Sequence, residues 1–242
     1  MFYVSLRVTV RTTFASTTTV KMGLKDFPNE LLAKIFLHLS YKSLLYVLAV
    51  SVQWNAVVTA DPALSVQMFR KPSRVYVEPG SRNPNFRRDF HYDNTDTAEP
   101  IRLHPAVQMT SYVMGSDISE VDFMFGPQLV DLEIADDLIS IPTVTMATIQ
   151  VPERRGRNIG FKIKVKNSKG VRLIDLFRGI AEESSREVCV DGYEYGSEIA
   201  LRKLFGETIT RTTLLGDHRH YEGLYGVVRK GLGLSADIFL GS

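Results

Sequence analysis

Apolar residues recur at helical spacing in residues 26–40, which read DFPNELLAKIFLHLS. On a wheel of roughly 100° per residue, the apolar positions fill one continuous face. They are Leu31, Leu32, Ile35, Phe36 and Leu39. Pro28 suits the first turn, where its missing N–H is not needed, and Glu30 suits the positive end of the helix dipole. The pattern predicts a helix that carries more apolar surface than so short a segment can cover by itself.

The next segment is apolar around its whole circumference. Ser40 is placed to cap a second helix, which runs through the almost unbroken apolar stretch from Leu44 to Val50. A helix of this kind must be buried on all sides. Asp61 followed by Pro62 predicts the start of another short helix. A three- or four-helix region of this size cannot enclose both surfaces, so either the rest of the chain or another protein must cover the surplus.

From residue 101 onward the pattern changes to strands. VDFMF at 121, TVTMATIQV at 143 and GFKIKVKN at 160 show compact or alternating apolar positions. The last of these places Lys162, Lys164 and Lys166 between apolar residues, which predicts a strand with one buried and one solvated face. Helices are predicted over VRLIDLFRGIAEE, around SEIALRKLF and over HYEGLYGVVRK. We expect an α+β domain with a mainly antiparallel sheet.

These patterns divide the chain into four regions. Residues 1–22 form a polar tail, and residues 23–70 form the helical module. Residues 71–100 are rich in proline, asparagine and aspartate, which predicts a loop or linker, with the VYV of 75–77 as a candidate edge strand. Residues 101–242 form the α+β domain. The predicted fold class is therefore α+β, with helices first and a sheet afterwards.

Composition narrows the class of protein. The 242 residues are 44% hydrophobic and carry a net charge of +2, which gives no support to a nucleic-acid binder with many phosphate contacts. Cys189 is the single cysteine, so no intramolecular disulfide can form. No apolar run approaches the roughly 18 residues of a membrane-spanning helix. We expect a soluble intracellular protein that binds neither nucleic acid nor membrane.

The first 22 residues leave three interpretations open. Arg7, Arg11 and Lys21, with many Ser and Thr and no acidic residue, have the composition of a mitochondrial presequence. The apolar residues from Phe2 to Val10 alternate with a period of two, however, which favours a strand over an amphipathic helix. The other two interpretations are a polar tail and an upstream extension of a protein that begins at Met22.

The helical module resembles an F-box domain from about Leu24 to Phe69. The residues Phe27-Pro28, Glu30-Leu31-Leu32, Ile35, Leu39 and the later Val50-Ser51 with Trp54 stand in the order and spacing of that motif. Phe27 replaces the usual leucine and keeps its apolar role. The resemblance implies a module that docks on a Skp-type adaptor and through it on a cullin–RING ubiquitin ligase. It implies adaptor contacts from Phe27, Pro28, Leu31, Leu32, Ile35, Leu39, Leu44, Leu48, Val50 and Trp54.

The C-terminal region is similar to those of F-box proteins common in filamentous fungi. The RLHPA of residues 102–106 and the helical segment of residues 170–180 carry this looser resemblance. No repeat appears at the periods typical of leucine-rich repeats or propellers. The resemblance implies no defined ligand, so the substrate stays unknown.

No group of residues carries an enzyme signature. Cys189 has no base marked out for it, so a buried strand thiol is the better interpretation. His218 and His220 lack a third metal ligand at a recognisable spacing. The glycines at 231 and 233 lack the full phosphate-loop pattern and favour a turn, and the carboxylates at 136 and 137 have no companion. We expect no catalytic residue, no cofactor and no metal.

The sequence thus predicts an adaptor and not a catalyst. The helical module would bind a Skp-type adaptor, and the α+β domain would capture a protein substrate for an SCF-type (Skp–cullin–F-box) ligase. One alternative is an interaction protein that binds the adaptor without assembling a ligase. Another is an imported mitochondrial protein whose helices pack internally. The expected location is cytoplasmic or nuclear, with the mitochondrion as the alternative.

Overall fold

The structure is a computed structural model that describes residues 27–73, 100–123, 126–152, 160–188 and 206–242. The chain divides into two compact units, Met1–Met68 and Phe69–Ser242. Several sequence predictions lie outside the described residues. These are the tail 1–22, most of the linker, the strand at 75–77, Cys189 and the helix around SEIALRKLF.

The described part of the first unit contains four helices, where the sequence predicts three or four. They are α1 (Asn29–Phe36), α2 (Tyr41–Val50), α3 (Val52–Ala60) and α4 (Pro62–Gln67). Helix α3 packs against each of the other three. Pro28 precedes α1, and its carbonyl accepts hydrogen bonds from the backbone N–H groups of Leu31 and Leu32 at 3.0 and 3.1 Å. The proline therefore marks the start of the first helix.

Short polar side chains begin the other three helices. The Ser40 hydroxyl accepts from the Ser43 N–H at 3.1 Å, and the Ser51 hydroxyl accepts from the Trp54 N–H at 3.2 Å. The Asp61 carboxylate accepts from the Leu64 N–H at 2.9 Å. Each cap satisfies a backbone donor that the helix leaves without an intrahelical acceptor. The caps predicted at Ser40 and Asp61 are confirmed.

Among the described residues, the second unit is built on a six-stranded sheet. Its strands are β2 (Thr110–Val113), β3 (Asp122–Phe123), β5 (Met146–Val151), β6 (Phe161–Lys166), β7 (His220–Lys230) and β8 (Gly233–Gly241). Their order in the sheet is β3-β2-β7-β8-β5-β6. All neighbouring strands are antiparallel except β5 and β8, which are parallel. A separate antiparallel pair is formed by β1 (Arg102–Leu103) and β4 (Ser140–Ile141). The predicted α+β class with a mainly antiparallel sheet is confirmed.

Three helices lie beside this sheet in the described part of the unit. They are α5 (Ala106–Met109), α6 (Leu173–Ser184) and α7 (Arg211–Leu215). Helix α6 packs on β6, and Phe177 on α6 meets the Tyr221 ring edge-on at 5.3 Å between centroids. Three short 3₁₀ turns lie at Ile118–Glu120, Leu129–Asp131 and Glu133–Asp136. The opposite face of the sheet carries the exposed lysines of β6.

The helix predicted over residues 220–230 is wrong, because this segment is strand β7. Gly223 and Gly226 have φ values of +125° and +58°, which a right-handed helix does not allow. Register shifts beside both glycines let the strand bend while it pairs with β8. The pairing with β8 supplies the long-range hydrogen bonds, and β8 itself was not predicted. The turn expected at the glycine pair is confirmed, since residues 231 and 232 connect the two strands.

Candidate functional site

Helix α1 exposes an apolar ridge although another side of it is buried. Leu31 and Ile35, one helical turn apart, are 44% and 43% exposed. The neighbouring Leu32 and Phe36 are buried within the unit. The single wide apolar face predicted from the sequence therefore serves two purposes. One part builds the core, and the other part faces outward.

A second apolar region lies between α2 and α3. Tyr46, Val50 and Val52 are exposed, and Val52 reaches 89%. Val52 also lines an open groove of about 690 Å³, together with Leu48, Ala49, Ser51, Asn55, Ala56, Thr59 and Ala60. The expectation that α2 is buried on all sides therefore does not hold for the chain by itself. Exposed apolar area of this extent is typical of a surface that binds a protein partner.

Trp54 has a mixed position. Its ring is partly buried and meets the Phe36 ring edge-on, with 5.3 Å between centroids and 61° between planes. Beside it, the Gln53 side-chain amide donates to the Asn29 side-chain oxygen at 3.2 Å, which links α3 to α1. Trp54 therefore helps to hold α1 against α3 and keeps part of its surface exposed.

The ten residues for which the resemblance implies adaptor contact fall into three environments. Leu32 and Leu44 have 0% exposure and form the core of the first unit. Phe27, Leu39, Leu48 and Trp54 are partly buried. The remaining four are exposed: Pro28, Leu31, Ile35 and Val50. Burial alone does not test contact with a partner, so the adaptor contacts stay predictions, and the exposed residues are the ones that a rigid partner can reach.

Two exposed apolar residues, Tyr46 and Val52, were not among the predicted contacts. The signal for Tyr46 was present in the sequence, because an α2 that is apolar all round must expose some side if its neighbours are too few. Val52 directly follows the Ser51 cap and begins α3. Sequence periodicity does not identify the surroundings of a residue at the first position of a helix.

Cys189 lies outside the described residues, and the histidine and carboxylate groups weighed from the sequence lie in the second unit. His218 lies beside Asp217, with 3.4 Å between Nε2 and Oδ1. Among the described residues, no group of three His, Cys, Asp or Glu side chains could hold a metal ion. Asp136 is exposed and pairs with Arg172 at 2.6 Å, whereas Asp137 is buried. The two adjacent carboxylates therefore do not act as a pair.

Asp137 instead lies against His104, which is also buried. Oδ2 of Asp137 is 3.5 Å from Nε2 of the histidine, and Nδ1 of His104 accepts a hydrogen bond from the Ala106 N–H at 3.0 Å. Removal of the ring from water lowers the pKa of His104, although the hydrogen bond and the charge of Asp137 act in the opposite direction. An accepting Nδ1 places the ring proton on Nε2, facing the carboxylate.

Two buried tyrosines complete the polar interior of this unit. Burial raises the pKa of Tyr112 to about 12, and burial also raises the pKa of Tyr221. Their hydroxyls donate to the backbone carbonyls of Ser116 and Val107, each at 2.7 Å. Both phenols are neutral hydrogen-bond donors, so neither is prepared to act as a base.

A family model decides what the first unit is. Residues 24–71 match the family described as F-box-like. The chain carries an F-box-like domain. The resemblance found in the sequence from Leu24 to Phe69 is therefore confirmed, and the four helices of the first unit are the F-box unit. Neither the curated proteins nor the solved structures include a match to the chain.

An F-box-like domain indicates a Skp-binding adaptor role in SCF-type ubiquitin ligases. Domains of this kind are generally adaptor modules and not enzymes. The exposed apolar ridge of α1 and the α2–α3 groove lie on this domain, where a partner-binding surface is expected. No helix among the described residues has both the length and the apolar character needed to cross a bilayer.

Proposed function

We propose that the chain is the substrate-recruiting subunit of an SCF-type ubiquitin ligase. Its F-box unit binds a Skp-type adaptor, and its second unit binds a target protein. The observation that carries the proposal is the outward-facing apolar surface of the F-box unit. The sequence predicts that either the rest of the chain or another protein covers this surface, and the described residues leave it exposed.

The α1 ridge supplies one part of the adaptor contact. Leu31 and Ile35 are side chains of the type that anchors a helix in an apolar groove, with the spacing of one helical turn. Their backbone is held by a packed interior, because Leu32 and Phe36 on the same helix are buried. A preorganised ridge loses little conformational entropy on binding, so its apolar area contributes to affinity.

The α2–α3 groove supplies the other part. Val50 and Val52 lie on either side of Ser51, the residue that ends α2 and caps α3. The Asn55 side chain donates to the Leu48 carbonyl at 3.3 Å across this junction. The junction is thus fixed while the valines remain exposed. We expect these valines and Tyr46 to be covered by the adaptor.

The mechanism is tethering and needs no reactive group in this chain. A target held by the second unit has its lysines kept near the ubiquitin carrier on the ligase. This raises their effective concentration over that of free diffusion. The compact sheet of the second unit offers a rigid platform for such capture. We therefore expect the chain to work in the cytoplasm or nucleus with a cullin–RING ligase.

The first test is co-expression of the full chain with a Skp-type adaptor, followed by size-exclusion chromatography. We expect a soluble one-to-one complex, and a cullin added afterwards should join it. The double variant Leu31→Asp with Ile35→Asp should lose the complex, since it places unpaired charges in a desolvated contact. Leu44→Asp is unsuitable here because Leu44 is in the core, and the variant would unfold the unit.

The matched control is Tyr225→Asp with Phe239→Asp. These side chains are also exposed and apolar, but they lie on the second unit. Their rings meet edge-on, with 6.2 Å between centroids. The control should keep the adaptor. A monomer that ignores the adaptor, with circular dichroism showing a folded chain, would refute adaptor binding. A complex that excludes the cullin would instead favour the interaction protein that assembles no ligase.

A further inference from the structure

The open face of the sheet carries a row of three lysines on strand β6. Lys162, Lys164 and Lys166 are exposed and alternate with the buried Phe161, Ile163 and Val165. Alternate residues of a strand lie about 6.6–6.8 Å apart, so the row is about 13 Å long. Strand β6 is the last in the strand order of the sheet. The three lysines therefore form one basic strip along this strand, which we call the lysine row.

Among the residues that the structure describes, no acidic side chain pairs with the lysine row. Its cross-strand neighbours on β5 are Gln150, Thr148 and Met146, all uncharged. Within the part of the chain that the structure describes, no ion pair involves the three lysines. Asp237 lies opposite Gln150 on β8, two strands from Lys162, which is about 9.6 Å. Like charges on one strand face repel each other, and a bound acidic group would relieve that repulsion.

An apolar corner adjoins one end of the row. Met146 lies directly opposite Lys166, and the Leu232 carbonyl accepts hydrogen bonds from the Thr145 and Met146 N–H groups at 2.9 and 3.3 Å. The side chains of Met146 and Leu232 are both exposed. Four of the exposed large apolar residues described in this unit lie on the open face or its hairpin: Met146, Tyr225, Leu232 and Phe239. The surface thus combines a basic strip with an apolar anchor point.

We propose that the lysine row binds an extended acidic segment of the target protein. The segment has carboxylates at every second position and an apolar side chain that contacts Met146 and Leu232. An extended chain repeats every two residues, with the same spacing as the lysines, so three carboxylates can face three ammonium groups in register. This inference rests on the proposed function and names the class of target that the second unit recruits.

The same surface suits a polypeptide better than a nucleic acid. A phosphate backbone gains affinity from many basic contacts, and this face offers one short row on a chain of net charge +2. The apolar corner gives a phosphate nothing to bind. Tyr225 and Phe239, the aromatic residues of the open face, meet each other edge-on at 86° between ring planes and form no flat stacking platform.

The test uses the full chain and a fluorescein-labelled nonapeptide, LSESESESL, followed by fluorescence anisotropy at low salt. We expect binding of this probe, no binding of the matched peptide LSQSQSQSL, and weaker binding as salt screens the charges. The triple variant Lys162→Gln, Lys164→Gln, Lys166→Gln should bind roughly tenfold more weakly, since each exposed ion pair is worth a factor of about two to three. The single variant Lys164→Glu should also weaken binding, although β6 keeps a charged side chain at all three positions.

The matched control is Lys169→Gln, Arg178→Gln, Arg219→Gln, which makes the same change of net charge at other exposed positions of the second unit. It should bind the probe as the natural chain does. Equal loss in the control, no binding of the probe, or stronger binding of a single-stranded RNA that displaces it would each overturn the proposal. A further outcome would also overturn it: the triple variant self-associates and the natural chain does not bind the probe. The lysines would then serve only to keep the edge strand from pairing with another chain.

Adaptor binding is measured on the same triple variant by co-purification. The triple variant should keep the adaptor, because the substitutions lie outside the F-box unit. Loss of probe binding with the adaptor retained shows a defect in target capture alone. If the natural chain binds the probe but no adaptor, the proposed function is refuted, whereas binding of an acidic segment by the lysine row is not.

Discussion

The side chains of His104 and Asp137 meet in the interior of the second unit, with 3.5 Å between Nε2 and Oδ2. Phe69 covers the ring of His104 edge-on at 4.7 Å, and the Arg102 guanidinium lies over Phe69 at 5.0 Å. The Leu138 N–H, next to Asp137, donates to the Phe69 carbonyl at 2.8 Å. The first residue of the second unit is thus fixed to its polar interior.

This arrangement predicts acid sensitivity. Burial lowers the pKa of His104 in the folded chain, so below about pH 6.5 the unfolded chain binds a proton that the folded chain does not. The contribution of His104 to the free energy of unfolding should therefore be complete above that pH, and the free energy of unfolding should fall as the pH drops below it. One such group contributes at most about 1.4 kcal/mol per pH unit. Urea unfolding followed by circular dichroism between pH 8 and pH 5 measures the slope.

The control for this slope is His104→Asn. Asparagine keeps an acceptor for the Ala106 N–H and does not titrate, so the variant should be less stable at pH 8 but show a flatter dependence. An unchanged slope in the variant would assign the acid sensitivity to other groups.

The backbone conformation of Phe69 predicts that glycine at this position destabilises the unit less than alanine does. Its ring is almost fully buried, but its φ of +61° lies in the left-handed region that disfavours side chains. Phe69→Ala should destabilise the second unit by about 3–5 kcal/mol. Phe69→Gly removes the same ring and also relieves the backbone, so it should cost roughly 1 kcal/mol less than alanine. Hydrogen exchange of the β5 and β6 amides reports the stability of this unit, and alanine less damaging than glycine would contradict the argument.

The local parts of the fold could be predicted from the sequence. Ser40 and Asp61 were assigned as caps because their side chains bond backbone groups three residues away. The alternation around Lys164 identified β6 and its two faces. These features depend on neighbours along the chain, which a sequence pattern contains.

The long-range parts could not be predicted in the same way. The sequence predicts a helix where β7 lies, and the extended state of this segment depends on its pairing with β8. In α1 the pattern marked Leu31 and Leu32 as one apolar face and could not separate them. Their different exposure depends on how α1 packs against the rest of its unit, in which α3 is a neighbour. Likewise, nothing in the sequence placed His104 beside Asp137.

The Asp61 cap provides a local test of the F-box unit. Asp61→Ala leaves the Leu64 N–H without its side-chain acceptor and should lower the stability of the unit by about 1 kcal/mol. Asp61→Asn keeps an oxygen in place and should be nearly neutral. Trp54, the single tryptophan, gives a fluorescence signal for urea unfolding of this unit. Equal effects of the two substitutions would mean that the charge and not the hydrogen bond stabilises the helix.

Substitutions at the adjacent residues Leu31 and Leu32 should distinguish an effect on adaptor binding from an effect on folding. Leu32 is fully buried, so Leu32→Ala should destabilise the F-box unit by about 2–5 kcal/mol through loss of apolar contacts and formation of a cavity. Leu31 is 44% exposed, so Leu31→Ala should change stability by no more than about 0.5 kcal/mol.

Adaptor affinity should respond in the opposite order. Leu31→Ala removes a proposed contact and should weaken adaptor binding by at least about 1 kcal/mol, or roughly fivefold, as expected for an anchor residue. Leu32→Ala should bind with nearly natural affinity at a temperature where the unit remains folded, because its side chain does not reach the surface. Calorimetric titration of both variants with the adaptor measures the difference. If Leu32→Ala weakens binding more than Leu31→Ala in the folded state, the adaptor must reach the core by separating the helices, and the rigid ridge on α1 is not the contact surface.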